Sequence, residues 1–295
     1  MPDTIAILTH EHLNLEAIPY LVRNLIDSWI NKGKEVFVLR GIEEFKPADA
    51  LFMHVDLTVI PDDYSAFASQ YPLVINGQVT NIAKRSFSSQ LVTGRHEFHG
   101  QVIIKTDFNC GGSMERRLYR RQGGMEKIFN SIRNSLPWYY RSHLSSKSYP
   151  VFASPLEVPM PVWKNRDLVV EKFTPEMCGN EFCLRQWVFL GQRELSQRTF
   201  SSEPIVKSGN VVRREPDIQI PQVLRDMRKA LGFDYGKFDF VLVDGEPVLL
   251  DVNKTPSFNS TDPSPKLLAD IEYLASGLED FLPLKGIGSH FTDIP

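Results

Sequence analysis

The residues that could do the most chemistry lie in one short stretch. It runs from Lys237-Phe238-Asp239-Phe240 through Gly245 to Leu250-Asp251-Val252-Asn253, and its two strand-like runs flank an Asp244-Gly245 turn signal. If the loop is odd in length and centred on Gly245, Asp239 stands opposite Asp251, and period-2 alternation puts Lys237 and Asn253 on the same face. A two-residue loop would break that register. Directly opposed residues have Cβ atoms roughly 4.5–5.5 Å apart, near enough for two carboxylates and an amide oxygen to share Mg²⁺ ions that bridge nucleotide phosphates. Phe238, Phe240, Leu242, Val248, Leu250 and Val252 then face a core.

Several elements must position this hairpin. The chain opens with a strand at Thr4–Leu8, a helical stretch over Leu15–Asn31 ending near Gly33, and a second strand at Glu35–Leu39, which is a βαβ beginning. Extended segments at Ala50–Ile60 and Leu73–Asn76, around a helix-compatible Asp63–Gln70, complete a mostly parallel α/β lobe over residues 1–80. No Gly-x-Gly-x-x-Gly turn follows its first strand, which argues against a Rossmann dinucleotide site. A central unit, 81–170, carries a strand at Gln101–Lys105 that runs into Asn109-Cys110-Gly111-Gly112-Ser113. A third unit, 171–295, holds strands at Leu168–Phe173 and Glu181–Leu190, a helix at Pro221–Leu231, the hairpin, and a closing helix around Pro265–Asp280. The fold class is α/β followed by α+β, with a seam between lobes as the place for a ligand.

Composition narrows the function classes. With 295 residues, 42% hydrophobic and 23% charged, the chain can bury a sizeable core and lies outside the disordered and disulfide-scaffold classes. A net charge of −3 argues against a globally basic nucleic-acid binder. Residues 114–150 are nonetheless basic, with Arg116, Arg117, Arg120, Arg121, Lys127, Arg133, Arg141 and Lys147 against Glu115 and Glu126; such a stretch is a solvated helix face or a grip for an anion. Cys110, Cys178 and Cys183 have no metal-type spacing and suit reduced thiols in a cytoplasm. No signal-peptide pattern or long apolar run is present, so neither export nor a membrane span is expected.

The hairpin resembles the metal motif of the ATP-grasp superfamily, a Gly-Arg-x-Asp-Phe strand followed by Leu-Glu-x-Asn-x-x-Pro. Here it stands as Gly236-Lys237-Phe238-Asp239-Phe240 and Leu250-Asp251-Val252-Asn253-Lys254-Thr255-Pro256. Lys237 replaces the usual arginine, losing its bidentate fork, and Asp251 replaces the usual glutamate, one methylene shorter. The rest of the pattern follows in order upstream, over about Asn81 to Pro263. Lys105 corresponds to the phosphate-contacting lysine, and Gly111, Gly112 and Ser113 to the glycine flap, whose backbone N–H groups can close over phosphates. Glu171, Lys172, Phe173 and Thr174 correspond to the hinge strand at the adenine edge, and Glu181 to the ribose-binding carboxylate. Relatives such as D-alanine–D-alanine ligase and glutathione synthetase carry an earlier lysine further upstream; Lys84 is the nearest candidate here. Arg198 and Lys207 are alternative contacts to the terminal phosphate.

The resemblance implies an ADP-forming carboxylate–amine ligase working through an acylphosphate, with ATP and Mg²⁺ (Mn²⁺ as the alternative ion) on Asp239, Asp251 and Asn253, and Lys105, Lys237 and Arg198 stabilising the transferring phosphoryl. Its partners would be a small carboxylate and an amine, or a peptide; a homo-oligomer is left open. Two rivals remain at this point: a kinase on the same fold acting on a small anion, and a non-catalytic nucleotide-binding module. The acceptor pocket is expected from His10, Glu11, His12 and Asn14 after the first strand, and from Thr255, Ser257, Asn259 and Ser260 after the metal motif.

Overall fold

In the computed structural model, residues 3–121, 132–133, 135–145, 149–258 and 264–282 are described. Asn259, Ser260, Glu126, Lys127 and Lys147 lie outside them, as do the side chains of Arg120 and Arg121.

The N-terminal lobe contains β1 (Thr4–Thr9), α1 (Leu21–Asn31), β2 (Glu35–Arg40), β3 (Ala50–Met53), α2 (Asp62–Ala68) and β4 (Val74–Ile75). Its strands form a parallel sheet in the order β2-β1-β3-β4. The helix expected over Leu15–Asn31 is split into a 3₁₀ turn at Leu15–Ala17 and α1. Ile18, preceding Pro19, is extended at φ −127°, ψ 133°, as the clash with a following proline ring demands. The strand expected over Ala50–Ile60 stops at Met53, where the sequence turns to the buried polar residues His54, Asp56 and Thr58.

The middle of the chain supplies α3 (Lys84–Phe87), β5 (Val102–Thr106), α4 (Ser113–Arg121), β6 (Val151–Phe152), α5 (Met160–Lys164) and β7 (Leu168–Lys172), with an antiparallel sheet in the order β6-β5-β7. The glycines do not form a turn between adjacent strands. Cys110, Gly111 and Gly112 take φ of 48°, 69° and 74° and lead directly into α4 at Ser113. At Gly112 a Cβ would sit 2.9 Å from the Ser142 carbonyl oxygen, so only glycine fits.

The remainder forms β8 (Glu176–Cys178), β9 (Glu181–Leu190), β10 (Arg193–Ser201), β11 (Arg213–Pro216), α6 (Gln222–Ala230), β12 (Tyr235–Val243), β13 (Glu246–Asn253) and α7 (Pro265–Ala275). The antiparallel sheet runs β11-β10-β9-β12-β13, with β8 also on β9. One face of β12 is fixed by aromatic packing: Phe238 lies edge-on to Trp187, Phe189 and Phe233 at 5.7, 5.2 and 5.1 Å between centroids. Burying such a ring contributes roughly 1.5–3 kcal/mol and forces the alternate residues, Lys237 and Asp239, to the opposite face. The N-terminal lobe and this sheet share one core, in which Ile5, Ile7, Trp29 and Phe52 pack with Leu190, Tyr235, Ile271 and Leu274. No described helix is long and apolar enough to cross a membrane.

Candidate functional site

The turn joining β12 to β13 has two residues, Asp244 and Gly245, at φ 52° and 85°, as a tight primed turn requires. The expected odd loop is therefore absent, and from the turn alone Asp239 would meet Leu250. A β-bulge repairs the register: Phe240 pairs with Leu249, Leu250 is extra, and Asp239 pairs with Asp251 and Lys237 with Asn253. The bulge also corrects the expected core face. Leu249 is buried in the core in place of the expected Val248 and Leu250, and Leu250 lines the cleft.

Four lysines reach this acidic pair from separate elements. Lys84, only 3% exposed on α3, places Nζ 3.0 Å from Asp251 Oδ1. Burial alone would lower its pKa, yet Asp251 holds it above the ordinary lysine value. Burial likewise opposes the charge on Asp251, but Lys84, with Lys105 and Lys207 beyond it, keeps that carboxyl below its usual range. Lys237 Nζ lies 3.1 Å from Asp239 Oδ2; burial is outweighed there too, and its pKa is raised, chiefly by Asp239. Lys105 pairs at 2.8 Å with Glu171, which is 2% exposed. Lys207 stands over the Tyr149 ring at 5.3 Å, and burial lowers its pKa. Gln186, itself held by Gln197 at 2.8 Å, donates to Asp239 Oδ1 at 3.1 Å and sets the carboxylate's orientation.

These groups open onto a cleft between the central and C-terminal sheets, lined by Lys84, Lys105, Lys207, Asp239 and Asp251 from the charged cluster and by Lys172, Phe173, Thr174 and Pro175 from the end of β7 onward. The apolar walls are Ile103, Val206, Val241 and Leu250. Thr174 Oγ1 is buried without a hydrogen-bond partner among the described residues, an open polar position on the hinge. Glu171 sits behind the wall on Lys105 rather than in the cleft. Glu181 and Arg198 are outside it as well. Glu181 pairs with Arg213 at 2.7 Å, and Arg198 with Glu215 at 2.5 Å. Gly111, Gly112 and Ser113 belong to the turn before α4 and do not line the cleft. Tyr149 and Gln186 are members that sequence reasoning missed; neither has a motif around it, although Tyr149 precedes Pro150 and is thereby biased to an extended backbone.

A divalent cation fits the hairpin face. Among the described residues no cluster of three or more His, Cys, Asp or Glu is present, which disfavours an all-protein cage. Mg²⁺ on nucleotides, however, is typically held by one or two carboxylates with the substrate's phosphates completing the shell. Asp239 and Asp251 supply the two carboxylates. Asn253, two residues on from Asp251 on the same face, has its Oδ1 accepting from the Thr255 N–H at 2.8 Å with the Thr255 hydroxyl 3.3 Å away.

The basic stretch is partly structural. Arg133 pairs with Asp167 at 2.6 Å, Arg141 donates to the Leu136 carbonyl, and Glu115 accepts from Thr58 N–H and hydroxyl at 2.8 and 2.6 Å. Of the N-terminal residues, His10, His12 and Asn14 border a second cavity with Asp56 and Arg117, while Glu11 pairs with His12 at 3.3 Å. Cys110, Cys178 and Cys183 are free thiols.

No protein-family model matches the chain, and no curated protein matches it significantly. Among solved structures it is similar to the RimK domain protein ATP-grasp from Sphaerobacter thermophilus, at 12% identity over 95% of this chain and 99% of that one with a TM-score of 0.50. It is also similar to the D-cycloserine synthetase DcsG, at 14% identity over 93% and 99% with a TM-score of 0.52. The chain has the ATP-grasp fold. The two antiparallel sheets of this chain flank the cleft, and the parallel N-terminal lobe precedes them.

Proposed function

We propose that this protein is an ATP- and Mg²⁺-dependent carboxylate–amine ligase, with the three units at 1–80, 81–170 and 171–295 dividing the work. One observation carries the reading: two opposed carboxylates on a hairpin line, together with Lys84, Lys105 and Lys207, the same cleft as the hinge residues Lys172 to Pro175. That layout suits a triphosphate running from hinge to hairpin.

In this reading Lys172, Phe173 and Thr174 hold the adenine edge, between Ile103 and Leu250. Lys105 and Lys207 meet the phosphates, Lys207 taking the terminal-phosphate role for which Arg198 was the other candidate. Asp239, Asp251 and Asn253 hold Mg²⁺, which when bound neutralises phosphate charge and favours in-line transfer. Lys84 and Lys237 keep the carboxylates ionised and in place. A substrate carboxylate attacks the γ-phosphorus and ADP leaves. The amine then attacks the acyl carbon: the C–N bond forms, the C–O bond to phosphate breaks, and the ammonium loses two protons, one to phosphate and one to solvent. Positioning and exclusion of water do most of the catalysis. Glu181, held by Arg213, is assigned no role.

The test is nucleotide turnover against pooled carboxylates and amines, with products separated. ADP and phosphate in equal amounts, dependent on both substrates and lost in Asp239→Asn, are expected. AMP with pyrophosphate, or a stable phosphorylated product with no amine requirement, would replace this reading.

A further inference from the structure

Apart from the nucleotide cleft, the N-terminal lobe and α4 enclose a cavity of about 240 Å³, smaller than the ~300–1,000 Å³ typical of drug-sized ligands. Most of its wall is hydrocarbon, from Leu13, Ile18, Leu57 and Met114. Two opposite charges interrupt that wall. Asp56 is 8% exposed; its Oδ1 accepts from the Thr255 hydroxyl at 2.7 Å and its Oδ2 from the Tyr20 hydroxyl at 2.5 Å. A carboxylate has about four lone-pair sites, so it can accept from a further donor. Among the described residues Arg117, on α4, has no carboxylate within ion-pair distance and hydrogen-bonds only the Met114 sulfur, at 3.7 Å.

A buried carboxylate and a guanidinium available for pairing, set in a small apolar cavity, complement a zwitterion that carries a hydrocarbon group. The Asp56 end is the one tied to the reaction centre, because the Thr255 hydroxyl that donates to Asp56 also lies 3.3 Å from Asn253 Oδ1. A ligand ammonium placed on Asp56 therefore lies nearest the metal hairpin. We infer that this cavity binds the ligase's amine substrate as an apolar α-amino acid, with its ammonium on Asp56, its carboxylate on Arg117 and its side chain against Leu13, Ile18, Leu57 and Met114. That this ligand is a substrate rests on the ligase reading; that it binds does not. The product would keep a free carboxylate.

Isothermal titration of the full chain tests it, with leucine, phenylalanine and valine in both enantiomers, and with isoamylamine and 4-methylpentanoate as probes lacking one charge. At least one amino acid is expected to bind more tightly than either single-charge probe. Arg117→Gln, a change at an exposed helix position, should weaken it by about tenfold or more while leaving isoamylamine unchanged. Asp56→Asn removes an acceptor from a buried network, so its melting temperature is checked and Arg117→Gln decides. Failure of every amino acid to bind, with and without Mg-ATP, overturns the inference, as does undiminished binding by Arg117→Gln. Amino-acid binding with no ADP release supports the cavity assignment and counts against the ligase reading. ADP release driven by a different class of amine, with no amino acid bound, does the reverse.

Discussion

Replacing Asp251 with asparagine separates its two partners, Lys84 in the free protein and Mg²⁺ in the proposed nucleotide complex. Lys84 is almost fully buried with Nζ 3.0 Å from Asp251 Oδ1, so Asp251→Asn strands an ammonium in the protein interior. Breaking a fully buried pair costs about 3–5 kcal/mol. The Asp251 side chain is 37% exposed toward the cleft, and solvent screening there reduces the expected loss to about 2 kcal/mol. That corresponds to a fall of about 4–8 °C in melting temperature. Scanning fluorimetry should find Lys84→Met nearly neutral in the Asp251→Asn background, a double-mutant coupling of about 2 kcal/mol. Wild type should also gain about 2.7 kcal/mol at a hundredfold excess of Mg-ATP over Kd, and the variant should lose most of that gain. An unchanged or higher melting temperature for Asp251→Asn would refute the pairing energetics, and an undiminished Mg-ATP shift would refute the metal assignment.

Three further outcomes follow. Deleting Leu250 removes the bulge but, with the two-residue turn kept, leaves Asp251 opposite Asp239 and Asn253 opposite Lys237, so the Mg-ATP shift should persist; a lost shift would show that the bulge itself, and not the pairing register, builds the site. Lys207→Ala should lower ATP turnover about tenfold or more while Arg198→Ala changes it less than about threefold, since only Lys207 lines the cleft; steady-state kinetics of the two variants decides. His54 is fully buried and its pKa is depressed to about 3, by burial first and then by Lys254. The unfolded chain therefore takes up a proton that the folded chain refuses as pH falls from about 6.5 toward 3, and stability drops by roughly 1.4 kcal/mol per pH unit, about 2 kcal/mol by pH 5. Urea titrations should show a shallower acid slope in His54→Phe; equal slopes would place the titration elsewhere.

The parts of the site legible in the sequence were those set by local periodicity. Alternation along Lys237–Asn253 put the charged side chains on one face, and the Asp-Gly pair announced the turn. The β-bulge had no local signal, because Leu250 is as apolar as its neighbours, and its effect appears only in the pairing with β12. β10 was missed for a related reason. Its sequence, Arg193 to Ser201, is largely polar, and it is held as a strand by β9 and β11 on either side rather than by its own propensity. Glu181 and Arg198 seemed candidates by their order along the chain, yet Arg213 and Glu215, distant in sequence from both, draw them away from the cleft.

The core shared by the first and last elements has a consequence for synthesis. Phe52 packs on Tyr235 with ring centroids 5.0 Å apart, and Trp29 donates its indole N–H to the Ala275 carbonyl at 2.9 Å. The N-terminal sheet and α1 are made first, but the core they share is completed only when Tyr235 and α7 leave the ribosome. At about 5–20 residues per second, the roughly 200 intervening residues leave that core incomplete for on the order of 10–40 s. Nascent chains stalled before Tyr235 should therefore be bound by chaperones and cut readily by protease, whereas those released beyond α7 should not.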